Sequence, residues 1–427
     1  MIIKDRSRAS CSRGPKTEDE GYQRNGQRAK WYNRRVQRRA GIYIHIPFCE
    51  RKCTYCNFNT TDFFEGLAAS YVEAMTREIA YWGENQKRQP TGCTVDTIYF
   101  GGGTPSIVDA GHLAKLLEAC RAAFAVVKNS EVTIEVNPAT LSRMKVDQWL
   151  SAGINRASVG IQSFIDRELV ALSRTHTAGD ARRTIETLRE AGFQNISLDL
   201  IAGLPEQSLT DWEFNLHEAL AIRPEHLSLY MLDLKEGTQL FAQLKRGARP
   251  QPDDDVTAEM YRMISRATQA AGYEHYEISN FARFAGSESI EGVSRFRSKH
   301  NSKYWSGDPF YGMGCGAHSY DGKARWFNVL RTETYIDRIA TDGNAIAERN
   351  ELSETDRAAE ALFMGLRLTE GISLEAFHSE YGVDVIERYG DELPRLADAG
   401  LIEIGDGRLI LTAAGRLLSN EVFVSFL

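Results

Sequence analysis

From Gly41 onward, short β-rich runs alternate with amphipathic helical stretches, and this alternation restricts the chain more than any single motif. Candidate strands fall at residues 42–46, 97–100, 132–136, 156–160, 196–200 and 227–230. Between them, residues 68–82, 111–124, 181–191 and 209–221 carry apolar side chains at helical spacing. Strands separated by helices run parallel and are joined by right-handed crossovers. Six such units fall short of the eight that close a full barrel. The expected fold is therefore α/β, an open (β/α)6 partial barrel over residues 41–235. In that geometry the loops after the strands gather on one face, where ligands bind.

Order and charge describe the rest. Residues 1–40 form a basic extension, with 12 Lys/Arg against 4 Asp/Glu and little apolar periodicity, and are expected to be disordered. The Glu18-Asp19-Glu20 run is unlike a targeting peptide, and the apolar core of a secretory signal is missing. A membrane-surface or anionic-partner arm and a start codon assigned too early both stay open. With a formal net charge of −7 overall, the remaining residues carry −15, which excludes a broad nucleic-acid surface. No stretch approaches the roughly twenty apolar residues that span a bilayer.

Residues 236–350 read as a connecting region with a helix near 258–271 and a strand near 273–280. Residues 351–427 read helix, helix, helix, hairpin, helix, with Gly405-Asp406-Gly407 as the hairpin turn. This is a mostly helical, winged-helix-like C-terminal domain. Its 6 basic and 15 acidic residues favour packing or partner docking over DNA.

Cys49, Cys53 and Cys56 directly follow the first strand, spaced C-x3-C-x2-C with no fourth cysteine nearby. Three thiolates on a four-iron cluster leave one iron open for a cofactor or substrate, whereas structural zinc closes with four ligands. The competing reading is zinc completed by His45, set back because His45 lies in the strand. A disulfide is disfavoured, since seven cysteines without a secretory signal point to a reducing, cytoplasmic compartment. Cys93, Cys120 and Cys315 read as small buried thiols. Arg51 and Lys52 either offset the charge of thiolates and cluster or are simply solvated.

Gly101-Gly102-Gly103-Thr104-Pro105 follows the second strand, and such a run permits close backbone approach and positive φ. Glu135, Gln162 and Asp199 fall at the ends of the third, fourth and fifth strands, with Arg174 after the fourth. Any one alone reads more readily as a capping or surface residue. Jointly they point to a ligand.

The run Gly41-Ile-Tyr-Ile-His-Ile-Pro-Phe-Cys-Glu-Arg-Lys-Cys-Thr-Tyr-Cys56 resembles the cluster loop of radical S-adenosylmethionine (SAM) enzymes. Within them it is similar to the branch holding oxygen-independent coproporphyrinogen dehydrogenases and HemW-type haem chaperones, over nearly all of residues 41–427. The resemblance implies a 4Fe-4S cluster on Cys49, Cys53 and Cys56. It implies SAM contacts at Tyr43, Tyr55 (against the adenine), Gly102, Gly103, Thr104, Glu135, Gln162, Arg174 and Asp199. Carboxylates suit hydroxyl and amino groups, and Arg suits a carboxylate. An electron from a reducing donor would then cleave SAM to methionine and a 5′-deoxyadenosyl radical.

Two features divide the branch. The dehydrogenases carry a further cysteine two residues after the third, where this chain has Phe58. His300-Asn301-Ser302-Lys303-Tyr304-Trp305 matches an H-N-x-x-Y-W motif of the HemW-like group. His300 is thus a candidate haem ligand, with Tyr304 and Trp305 as a flat wall, or else a hydrogen-bonded histidine in a structural turn. His318 either lines the same cavity or sits in the core, the core being favoured. The resulting expectation is a carrier of haem to haem-accepting proteins. Radical decarboxylation of coproporphyrinogen III is the alternative.

Overall fold

A computed structural model describes residues 39–87, 93–284 and 293–426 of the chain. The basic extension lies outside the described residues, apart from Arg39 and Ala40. All six expected strands form: β1 (Ala40–Ile46), β2 (Thr94–Gly102), β3 (Ala125–Val136), β4 (Arg156–Gln162), β5 (Ile196–Ala202) and β6 (His226–Met231). They lie side by side in sequence order and pair parallel throughout. Helices α1 (Glu65–Lys87), α2 (Ala110–Ala123), α3 (Arg143–Ala152), α4 (Asp166–Ala171), α5 (Ala178–Ala191) and α6 (Leu209–Ile222) make the crossovers. Local chemistry sets their ends. Thr177 with Asp180 and Ser208 with Asp211 form capping boxes on α5 and α6, and Gly192 closes α5 in the left-handed region at φ 110°.

Strand alternation divides the side chains into two sets. Ile42, Ile44, Ile46, Ile98, Phe100, Ile134 and Val159 belong to one continuous apolar core with Tyr71, Leu113, Trp149 and Leu188 of the helices. The opposite face carries Tyr43 and His45, Thr97 and Tyr99, Glu131 and Glu135, Arg156 and Ser158, Ser197 and Asp199, His226 and Ser228. Hydrogen bonds and ring contacts link most of these residues to one another. The barrel interior is therefore polar.

The stretch read as a connecting region extends this sheet rather than linking domains. It supplies helices α7 (Gln239–Lys245), α8 (Asp254–Ala270), α9 (Lys299–Ser306) and α10 (Thr332–Asp342). Its strands are β7 (Tyr273–Glu277), β8 (Asn280–Arg283), β9 (Phe310–Met313), β10 (His318–Tyr320), β11 (Ala324–Asn328) and β12 (Ile346–Glu351). The twelve-stranded order is β12-β11-β10-β9-β1-β2-β3-β4-β5-β6-β8-β7. β9 joins β1 in parallel, and the other added strands are antiparallel. The single strand expected near 273–280 is a hairpin, because Glu277 turns back to accept the Ser279 N–H and the Asn280 side-chain amide.

Residues 354–424 build a smaller unit with its own core, including Leu362, Leu366, Phe377, Leu393, Ile402, Leu409 and Phe423. Its hairpin, β13 (Ile402–Gly405) and β14 (Arg408–Leu411), turns through Asp406 and Gly407. Both have positive φ, 51° and 69°, as a two-residue turn between twisted strands requires. No helix among the described residues is long and apolar enough to cross a membrane.

Candidate cofactor site

At the carboxyl ends of the parallel strands lies a cavity of about 500 Å³. Cys49, Cys53, Cys56, Tyr55, Gly102, Gly103, Thr104, Glu135, Gln162, Arg174 and Asp199 all line it. Eleven residues scattered over 150 positions thus meet in one place. Tyr43 and His300 are not among the lining residues.

The cysteine loop is held by backbone chemistry. Gly103 N–H donates to Ile46 O and Thr104 N–H to Phe48 O, each at 2.8 Å, pinning the glycine run against the segment that enters the loop. A Cβ on Gly103 would lie 2.7 Å from Pro47 O and 2.8 Å from Phe48 O, so a side chain cannot fit. Gly102 has φ 114°, and a Cβ there would meet the His45 ring at 2.5 Å. The glycines admit the protein's own backbone and His45, and their amides are spent on internal acceptors. The Gly102 N–H donates to Glu135 Oε2 at 3.0 Å.

The thiols are half-buried. Cys49 Sγ lies 3.4 Å from Thr104 Oγ1, and Arg174 Nη1 donates to Cys53 Sγ at 3.6 Å. Burial raises the thiol pKa of Cys49 and Cys56. Among the described residues, no three His, Cys, Asp or Glu side chains converge as ligands of a single metal ion. His45 is buried, its Nε2 hydrogen-bonded to Asn59 O at 2.9 Å and its Nδ1 to Tyr43 Oη at 3.2 Å. The zinc alternative therefore loses its fourth ligand. Three thiols spread around a cavity suit a multi-iron cluster, each thiolate on its own iron.

The polar wall faces the thiols. Glu135 accepts from Tyr99 Oη at 2.9 Å, and burial lifts its pKa to about 7. Asp199 accepts from Ser158 Oγ at 3.0 Å, and burial raises its pKa too. Gln162 adopts φ 69° at a register shift between β4 and β5, a conformation unusual outside glycine and concentrated at functional sites. Arg174 Nη2 donates to Gly160 O at 2.7 Å, while its buried Nε has no partner. Such an orphaned donor in a cavity wall fits an anionic ligand group. Tyr55 packs with Leu172, Ile201, Leu204 and Leu232.

The structure places His300 away from the cavity. Helix α9 covers the opposite end of the barrel, where the strands begin: Glu131 accepts the Lys299 and His300 N–H groups, and Lys303 pairs with Asp96. His300 is 1% exposed, with Nδ1 bonded to Thr97 Oγ1 at 2.8 Å and Nε2 to Tyr304 Oη at 2.9 Å. Both nitrogens are engaged within the protein, away from the cavity. Tyr304 packs edge-on against His300 and Phe310, and Trp305 lies under Arg367 of the C-terminal unit. In this structure the motif packs between the barrel and the C-terminal unit. Tyr43 lies between the rings of His45, Tyr99 and His300, behind the cavity rather than in it. His318 is neither core nor cavity residue. It is exposed, stacked on Phe327.

Sequence reading overlooked Ser158, Tyr99 and Arg156. Their signal was present as alternation: Gln162, Gly160, Ser158 and Arg156 recur every second residue, as do Gly101, Tyr99 and Thr97. Phe58 lines the cavity mouth at 60% exposure, with Lys52 and Lys235 nearby on the same lining.

Comparison with known proteins agrees with this architecture. Residues 43–218 match the Radical SAM superfamily, and residues 352–418 match the HemN C-terminal domain. "Heme chaperone HemW" of Bacillus subtilis (strain 168) is 37% identical over 386 residues, covering 90% of this chain and 98% of that protein. "Radical S-adenosyl methionine domain-containing protein 1, mitochondrial" of Bos taurus is 33% identical over 402 residues, covering 91% and 87%. Among solved structures, coproporphyrinogen III oxidase (HemN) from Escherichia coli superposes with a TM-score of 0.76 at 22% identity. That match covers 94% of this chain and 92% of the other, and at such identity it speaks to the fold alone. With the cysteine loop, the polar strand ends and full-length relatives in agreement, the chain belongs to the radical SAM superfamily, in the HemW haem-chaperone family.

Proposed function

We propose that this protein binds haem and hands it to haem-requiring proteins, with a 4Fe-4S cluster and SAM held in the cavity at the strand ends. The observation that carries the cofactor part is the convergence of three thiols with Glu135, Gln162, Arg174 and Asp199 on one cavity. Cys49, Cys53 and Cys56 would hold the cluster. Arg174 offers an unpaired N–H to a carboxylate, and Glu135 and Asp199 offer acceptors to amino and hydroxyl groups. When bound, the cluster and SAM supply one-electron chemistry. The chain's own part is to orient these groups and exclude water. Burial raises the pKa of both Glu135 and Asp199, so each carboxylate gains from pairing with a cationic group.

The haem part is supported by the relatives named haem chaperones. A cytoplasmic setting, a reducing electron donor and contact of the basic N-terminal extension with a membrane surface complete the proposal. The decisive experiment is anoxic. Cluster-loaded protein receives SAM, reductant and either haemin or coproporphyrinogen III. A stoichiometric shift of the haem absorption band without porphyrin turnover is expected. Formation of protoporphyrinogen IX would replace the chaperone reading with a dehydrogenase. Cys53→Ala should abolish the four-iron EPR signal and SAM cleavage.

A further inference from the structure

Two chains of contacts run down the barrel interior from the cavity to helix α9. The longer begins at Asp199. Ser197 Oγ lies 3.3 Å from Asp199 Oδ1 and 2.8 Å from His226 Nδ1. His226 Nε2 lies 2.8 Å from the Tyr276 hydroxyl, which accepts from the Ser298 N–H at 3.3 Å. Ser298 is the N-cap residue of α9. The shorter chain links Glu135 to Tyr99, whose ring stacks on His300 at 5.1 Å between centroids.

The proton positions in the longer chain follow from its ends. His226 is fully buried, and burial assisted by Arg156 holds its pKa far below the usual range, so it is neutral with one N–H. A backbone amide can only donate, and an ionised carboxylate can only accept. One arrangement makes every link: Ser298 N–H to Tyr276 Oη, Tyr276 O–H to Nε2, Nδ1–H to Ser197 Oγ, and Ser197 O–H to Asp199. All donors point the same way, so each bond polarises the next toward the carboxylate. The chain also starts at the positive end of a helix.

We propose that α9 is a strut that orients the cavity carboxylates, with Tyr276 and His226 as positioning residues acting on Asp199 through Ser197. This rests on the SAM reading of the cavity. It gives the H-N-x-x-Y-W segment a task at the cofactor end although it lies at the other end of the barrel.

Tyr276→Phe removes one hydroxyl and little volume. SAM binding to anoxic, cluster-loaded protein is measured by equilibrium dialysis, with the thermal midpoint alongside. Tyr276→Phe should weaken binding about fivefold, the factor for one hydrogen bond. A double-mutant cycle with Asp199→Asn separates positioning from mere support of the fold. The double variant should bind no more weakly than Asp199→Asn alone. Unchanged binding in Tyr276→Phe, or penalties that multiply in the double variant, would overturn the proposal. If Tyr276→Phe fails to fold, Ser197→Ala breaks the same chain and enters the same cycle. Wild-type protein that loads a cluster yet ignores SAM would remove the cavity reading and the strut with it. Wild-type binding with indifferent variants would remove the strut alone.

Discussion

Individual side chains in this protein are judged by which of their atoms are already engaged. His300 has no free nitrogen, so His300→Ala should leave the haemin spectrum of the protein unchanged. Stability should suffer instead, by about 2–4 kcal/mol in chemical denaturation, from a buried cavity and two hydroxyls left unpaired. Burial lowers the His300 pKa to about 3, against about 6.5 for the unfolded chain. Between those values the unfolded state binds more protons, so this residue's contribution is complete above pH 6.5 and lost as pH falls toward 3. His300→Ala should therefore flatten the acid limb of the stability curve by up to about 1.4 kcal/mol per pH unit. An unaltered slope would show that the imidazole titrates normally. Gly103→Ala tests the opposite kind of residue, one defined by the space it leaves. Its Cβ would strike Pro47 O and Phe48 O, displacing the cysteine loop. The expected result is a folded protein, normal by circular dichroism, that retains little iron and sulfide after reconstitution.

Among the elements, α9 has the most to account for, being short and polar yet burying His300 and Lys303. Its first amides are satisfied by Glu131 and by the Ser298 side chain. Glu131→Ala leaves the buried His300 N–H and the part-buried Lys299 N–H without acceptors, at a cost of about 2–3 kcal/mol, whereas Ser298→Ala removes one cap worth about 1 kcal/mol. Thermal denaturation should rank them in that order, and a larger loss for Ser298→Ala would mean that Glu131 is not the effective cap. The same helix shows where element-level reading stops. Residues 299–306 display no clean apolar stripe because their neighbours are the polar interior of the barrel, and no local pattern encodes that environment. The six parallel strands were legible for the converse reason. Their outer faces pack on helices and alternate strictly, as Ile42, Ile44 and Ile46 do. Strands β9 to β12 escaped notice because they are short, and β12 is exposed along most of its length.

At the scale of the whole molecule, the C-terminal unit is fastened to the end of the sheet rather than left on a linker. Thr369 N–H donates to Tyr276 O, Glu277 bridges to Leu368, and Arg297 joins Glu274 of β7 to Glu370. Arg297→Ala should expose this seam, seen as faster limited proteolysis between the two units with little change in far-ultraviolet circular dichroism. Equal cleavage rates would show that the apolar contacts alone hold it. The net charge of the C-terminal residues leads to one more expectation. With the basic extension removed, fluorescence anisotropy with duplex DNA should show no salt-dependent binding, since the counterion-release term needs a cationic face.

The parallel architecture, the cysteine triad and the polar strand ends were written in the chain itself, because strand period, crossover length and ligand spacing are local quantities. Tertiary structure decided which of those polar residues share a cavity, that residues 236–350 enlarge the sheet, and that His300 faces inward at the far end. Those outcomes depend on which side chains occupy the space around each group, and that space is filled by residues remote in sequence.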